Sequence, residues 1–257
     1  MSKIISVILP KGGVGKSTST VNLGYYFALQ NKKTLLIDLD PTATCSYSLG
    51  FRNEDIKGDI FDVFSFSKSI NSVIVPTKIK NLDCIPHTKL GVIEEGRQLR
   101  LLRNEYLLRN FVAQIAHNYN FIIFDCPPYL FGPTNLALHA SNSVLIPIKT
   151  DGYSLEALDE LLQRIEYVKK RGNQKLHVEG IFITSYEKDL KASFKLKTKL
   201  FNKNSNLMLT KSIPKDENLL SASFNNTPIA IESPESSAAI AYKELANEIL
   251  DKNITTF

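Results

Sequence analysis

The chain has 257 residues, 43% of them hydrophobic and 22% charged, enough apolar material for one well-buried domain. No apolar run approaches the ~20 residues needed to span a bilayer, and the opening run Ile4–Leu9 is too short for the core of a signal peptide. The net charge is only +5, and three scattered cysteines (Cys45, Cys84, Cys126) with four histidines lacking metal spacing exclude a disulfide framework or a Cys/His metal centre, so a cytoplasmic location is expected.

Ile4–Leu9 reads as a first strand. It runs into Lys11-Gly12-Gly13-Val14-Gly15-Lys16-Ser17-Thr18, and Thr18 to Gln30 reads as the following helix. The ordinary phosphate-loop pattern asks for glycine five residues before Gly15, where this chain has Pro10. The loop is therefore a deviant one, with Lys11 as an added cation. Its glycines let backbone N–H groups turn inward around phosphate oxygens, and the helix N-terminus adds its dipole. Lys16 is placed to reach the β- and γ-phosphates, and the Ser17 hydroxyl to ligate Mg²⁺.

The next strand, Thr34–Asp38, ends in two carboxylates, Asp38 and Asp40, at i and i+2. After Leu82–Ile85 and a helix expected from Gln98 to His117 comes Phe121–Asp125, four apolar residues closed by an acid, the form of a Walker B strand. Ligands bind at the carboxyl ends of parallel strands, so Asp38, Asp40 and Asp125 should converge beside the phosphate loop. Strands at Ser143–Ile148 and Val178–Thr184, and a shorter one at Leu207–Leu209, alternate with helical segments. In the clearest of these, Leu155, Leu158, Leu161, Leu162, Ile165 and Val168 form one face, and the helix stops at Gly172. Several strands are apolar on consecutive residues, as strands covered on both faces are. The expected fold is α/β: a doubly wound, mostly parallel sheet with helices on both faces, as one domain over residues 1–257 with no separate DNA-binding domain ahead of it.

Between Lys188 and Lys215 there are eight lysines and one acid, Asp189, an excess larger than that of the whole chain. A helical reading of Lys188 to Lys203 puts Lys188, Lys191, Lys195 and Lys199 in one stripe, with Leu190, Phe194, Leu196, Leu200 and Phe201 largely opposite, for the core. Such a stripe suits a polyanion gripped through its phosphates without base readout.

Lys-Gly-Gly-Val-Gly-Lys-Ser-Thr, then Asp-Leu-Asp-Pro, then Asp-Cys-Pro-Pro, in this order and spacing, closely resemble the ParA/MinD family of deviant Walker ATPases, and within it the small partition ATPases. The resemblance continues through Pro147–Leu158 and Ile213–Asp216 to a closing helix near Ser236–Leu250. It implies a P-loop NTPase fold, ATP and Mg²⁺ as ligands, and a homodimer with ATP sandwiched between subunits. Lys11 resembles the lysine that reaches the partner's phosphates, and Asp40 the acid that positions the attacking water. Asp38 and Asp125 would support Mg²⁺ through its waters, and Thr184, Pro214 and Asp216 fall where the family holds adenine. Hydrolysis without a partner should be slow.

In partition proteins of this family the implied output is nucleotide-dependent, sequence-independent DNA binding on the nucleoid, released by a centromere-binding, ParB-like activator. Two departures bear on it. The family's Asp-x-Asp-Pro-Gln-Gly-Asn here reads Asp38-Leu39-Asp40-Pro41-Thr42-Ala43-Thr44, and its Pro-Arg-x-x-Arg becomes Pro214-Lys215-Asp216-Glu217-Asn218, keeping one charge at Lys215. A MinD-like membrane output needs a basic amphipathic terminal helix, and the short, cation-poor end of this chain argues against a stable membrane anchor. A ParA-like ATPase that positions a cargo other than DNA is the remaining alternative.

Overall fold

The computed structural model describes residues 2–88, 102, 104–188 and 190–254. Seven strands form one sheet: β1 (Lys3–Val7), β2 (Thr34–Asp38), β3 (Val75–Pro76), β4 (Leu82–Ile85), β5 (Phe121–Asp125), β6 (Ser143–Lys149) and β7 (His177–Thr184). Their order across the sheet is β3-β4-β2-β5-β1-β6-β7, and every pairing is parallel except the edge pair β3–β4. Consecutive apolar residues point to opposite faces, so each strand feeds two cores. In β5, Ile122 and Phe124 join one cluster while Phe121 and Ile123 join the other.

One face is covered by α1 (Lys16–Leu29) and the C-terminal helix α10 (Ser237–Ile254). Two tyrosines fasten these helices together: Tyr26 Oη donates to Ala239 O at 2.9 Å, and Tyr242 Oη meets Ser19 Oγ at 3.0 Å. The other face carries α3 (Ile60–Phe64), α4 (Leu107–Ile115), α5 (Pro133–Ala140), α6 (Ser154–Arg171) and α7 (Lys191–Asn204). Three short helices, α2 (Thr44–Ser48), α8 (Asn218–Phe224) and α9 (Ile229–Glu232), complete the set described. Helix α6 stops at Gly172, where a Cβ would run into the Tyr106 ring.

Two expectations need correction. Leu207–Leu209 is not a strand: α7 runs into a single 3₁₀ turn at Ser205–Leu207, leaving only Met208 to bridge Ile181. Thr210 then turns away to bond Glu248 on α10, which interrupts the pairing until Ile213 N reaches Ile183 O at 2.7 Å. The helix expected over Gln98–His117 is seen as Leu107–Ile115 with a 3₁₀ turn after it; its first part, 98–101 and 103, lies outside the described residues.

Candidate nucleotide site

The loop after β1 takes a shape that glycine permits. Gly13 and Gly15 sit at φ 69° and 86°, the left-handed region that a side chain disfavours. Helix α1 starts at Lys16 behind Gly15, which has no side chain to cap it, and the first helical bond is Ser19 N to Gly15 O at 2.9 Å. N–H groups at the start of a helix have no helical partner, which makes such a turn suited to an anion. Gly12 is exposed with open space above it, Val14 is buried, and Ser17 and Thr18 lie in the first turn of α1. Lys16 is 7% exposed, and its Nζ donates to Lys11 O at 2.8 Å. Burial pushes its pKa down, while the Asp125 and Asp40 carboxylates pull it back up.

Parallel register sets two of the acids side by side, since Asp38 is the direct partner of Asp125. Asp125 is fully buried. Thr20 Oγ1 donates to its Oδ1 at 3.2 Å, and its Oδ2 has no hydrogen-bond donor among the described residues. Burial, then the neighbouring Asp38, raise its pKa well above the ordinary carboxylate value, with Ser17 working the other way. A buried, orphaned carboxylate oxygen beside the Ser17 hydroxyl and the phosphate lysine fits a hydrated divalent cation. Among the described residues no three Asp, Glu, His or Cys side chains cluster to hold a metal ion by themselves. Asp38 is spoken for within the chain: Oδ1 accepts Asp40 N at 3.1 Å, and Oδ2 accepts Ser46 N at 2.9 Å and Ser46 Oγ at 2.7 Å. Asp40 is 6% exposed, with its Oδ1 held by Thr42 N and Thr42 Oγ1 at 2.9 and 2.8 Å.

Lys11 lies in a different setting from Lys16. It is half-buried at the mouth of the loop, ion-paired with Asp151 just past the carboxyl end of β6 and bonded to Ser154 Oγ at 3.2 Å, with the exposed Tyr153 ring 5.8 Å from its Nζ. Burial would raise the Asp151 pKa, but hydrogen bonds from Lys11 and Ser154 hold it below the usual value. Neither Asp151 nor Thr42 and Ser46 stood out as functional in the sequence. The only signal for the hydroxyls was their place just after Asp-Leu-Asp-Pro.

The residues expected around adenine part company. Thr184 is buried against the loop and donates through Oγ1 to Val14 O at 2.9 Å. Pro214 bridges Tyr186 and lines a groove of about 1000 Å³. Asp216 is a cap: its carboxylate accepts Ser237 Oγ at 2.7 Å, Ala238 N at 3.0 Å, and Asn218 N and Nδ2 at 3.0 and 2.8 Å, tying α8 to the start of α10. Although burial opposes it, these bonds lower the Asp216 pKa from 3.8 to about 2. Its stabilisation is therefore complete above the unfolded value and lost as pH falls through about 2. Asp216→Ala should cost about 1–2 kcal/mol near neutrality, as lost caps do, lowering Tm by roughly 2–8 °C. A thermal melt at pH 7 tests this, and an unchanged Tm would refute the capping role.

Lys188, Lys191, Lys195, Lys199 and Lys215 are all exposed, but they do not share one helix, since α7 begins only at Lys191. Asp189 lies outside the described residues. Among the described residues none forms an ion pair with Lys188, Lys191, Lys195 or Lys199, whereas Lys215 pairs with Glu187 at 3.3 Å and Lys203 with Asp159 at 2.7 Å. The expected core face of this helix is corrected: Leu196 and Leu200 are buried, but Leu190, Phe194 and Phe201 are 45%, 67% and 57% exposed. Ser193 and Asn204 take the inward positions instead, because a helical period centred on 196 and 200 leaves 194 and 201 on the flank.

A family model described as an AAA domain matches residues 2–178. The sporulation initiation inhibitor protein Soj of Bacillus subtilis is 32% identical over 97% of this chain and 98% of its own. The chromosome-partitioning ATPase Soj of Treponema pallidum is 33% identical over 98% and 99%. Among solved structures, a putative plasmid partition protein of Borrelia burgdorferi bound to AMPPNP superposes with a TM-score of 0.79, at 25% identity over 100% of both chains.

Proposed function

The chain belongs to the ParA/MinD-type partition ATPases, and from that premise we propose that it is a dimerising switch, binding DNA without sequence preference while ATP is held between two subunits. The observation that carries the dimer is the different setting of the two loop lysines. Lys16 is buried beside Asp40 and Asp125, where a phosphate lysine serves its own chain. Lys11 is half-buried at the mouth of the loop, held by Asp151 through an ion pair that can be exchanged for a phosphate of a second subunit.

In this reading Gly12 to Thr18 cradle the phosphates, Lys16 neutralises the β/γ oxygens, and Asp40 holds the attacking water. Ser17 would hold Mg²⁺, with Asp38 and Asp125 reaching it through water, and the ion would supply charge neutralisation at the phosphates. Thr184 and Pro214 border the base, while Asp216 shapes that pocket from behind as a cap. With little covalent chemistry for the protein to perform, hydrolysis depends on positioning and stays slow until an activator, a ParB-like centromere-binding protein, completes the geometry.

The DNA surface is the lysine stripe of α7. That helix carries five lysines and no acid, and Lys191, Lys195 and Lys199 have their charge uncompensated by described residues. Lys215 is a weaker contributor because Glu187 shares its charge. Among the described residues no helix is long and apolar enough to cross a membrane. A second reading, a protein-assembly cargo, is favoured by the exposed rings of Phe194 and Phe201 beside the stripe. Gel shifts with ATP or ADP over a salt series separate the two. The DNA reading expects ATP-dependent binding that falls steeply with salt. Lys191→Glu with Lys195→Glu should weaken it on every sequence and flatten the salt slope by about 1 for each phosphate left unneutralised. Binding that ignores the nucleotide, or none at low salt, refutes it and favours the other cargo.

A further inference from the structure

The short helix α2 and the turn before it hold both carboxylates at the end of β2 through side-chain hydroxyls. Thr42 donates twice to one oxygen, Asp40 Oδ1: its N–H at 2.9 Å and its Oγ1 at 2.8 Å. Thr42 Oγ1 is also 2.9 Å from Thr44 Oγ1. With the Thr42 proton given to the carboxylate, the Thr44 hydroxyl must donate to Thr42. Ser46, one helical step further on, places both its N–H and its hydroxyl on Asp38 Oδ2, and its Oγ accepts His87 N at 2.8 Å. Asp38 Oδ1 in turn accepts Asp40 N. The connecting residue, Ala43, is held at φ 55° in a turn closed by its N–H on Asp40 O at 2.8 Å. A left-handed alanine costs roughly 1–2 kcal/mol, and this one stands between the Thr42 hydroxyl on Asp40 and the Ser46 hydroxyl on Asp38.

We propose that Thr42 is a positioning residue for ATP hydrolysis. Its hydroxyl fixes the plane of the Asp40 carboxylate and commits Oδ1, leaving Oδ2 as the oxygen that faces the attacking water. Thr44 orients Thr42, and Ser46 anchors the same helix to Asp38. The proposal rests on the reading of Asp40 as the water-positioning acid. The turn itself needs only the Thr42 N–H, a common Asp-led turn bond. The hydroxyl bond is additional to it, and it stands in the segment where this chain has no Gln-Gly-Asn. A charge-assisted O–H···O⁻ bond is directional enough to hold a carboxylate in one rotamer, and small misplacements of a reacting group are expensive in rate.

Thr42→Val keeps the N–H and the branched shape and removes only the hydroxyl, whereas Thr42→Ser keeps the hydroxyl. Single-turnover and steady-state phosphate release by the full chain with Mg²⁺ and ATP should show kcat down about 10–100-fold in Thr42→Val. Its KM for ATP should stay within about twofold, because affinity does not read the carboxylate's rotamer, and its ATP-bound dimer on sizing should be at least as persistent as the parent's. Thr42→Ser should recover most of the rate. A Thr42→Val protein as fast as the parent overturns the proposal. So does a Thr42→Ser protein as slow as Thr42→Val, or a loss of rate matched by a rise in KM. Asp40→Ala run alongside separates the two levels: if it hydrolyses ATP normally, the reading of Asp40 fails, whereas a slow Asp40→Ala beside a fast Thr42→Val overturns the role of Thr42 alone.

Discussion

Lys16→Ala is expected to abolish ATP binding at ordinary concentrations, and with it every nucleotide-dependent property of the chain. Lys16 is 7% exposed and feels the charges of the buried Asp125 and Asp40, so the residue is largely out of water before any nucleotide arrives. Burial lowers its pKa, yet Asp125 and Asp40 favour the charged form, and the triphosphate adds further negative charge in the same direction. Truncating one member of a buried charge pair costs about 2–5 kcal/mol, or roughly 30-fold to several thousand-fold in affinity. The variant also removes the cation whose charge partly offsets the raised pKa of buried Asp125. Titration calorimetry with Mg²⁺ and ATP checks the outcome. A thermal melt distinguishes lost binding from lost folding, and a folded Lys16→Ala protein with parental affinity would remove Lys16 from the site.

Much of this site was legible in the sequence because its parts are contiguous runs. The glycine loop needs eight consecutive residues, and the two acid-ending strands announce themselves by apolar residues on successive positions. For β2, β4 and β5 the expected and observed boundaries coincide at Thr34–Asp38, Leu82–Ile85 and Phe121–Asp125. What failed depended on tertiary context. Strand β3 is two residues long and includes Pro76, so no period marks it. Phe194 and Phe201 were assigned to the core by hydrophobicity, yet the inward positions on α7 include Ser193 and Asn204. Asp216 stands where the resemblance puts an adenine residue, but its carboxylate is fully used in capping two helices. The clamp on Lys11 joins residues 140 positions apart, and nothing local to either one foretells it.

Asp40→Ala should have the opposite signature to Lys16→Ala: ATP is kept and hydrolysis is lost. Removing the carboxylate takes a negative charge away from the phosphate-binding end of the sheet, so affinity for a tetra-anionic ligand has no electrostatic reason to fall. Lys16 keeps Asp125, the largest of the influences that favour its charged form. The backbone around position 40 also has independent support, since Asp38 is held by Ser46 and the turn is closed by Ala43 N on the carbonyl at position 40. The rate should drop about 100-fold or more, the usual cost of deleting a group that orders or deprotonates the nucleophile. If ATP is the bond between subunits, a protein that binds it without cleaving it must accumulate as the dimer. Sizing Asp40→Ala with Mg²⁺ and ATP should then give a stable dimer, and with ADP a monomer. A folded, ATP-bound Asp40→Ala protein that elutes as a monomer would break the sandwich at its premise, because Lys11 would then have no partner phosphate to reach.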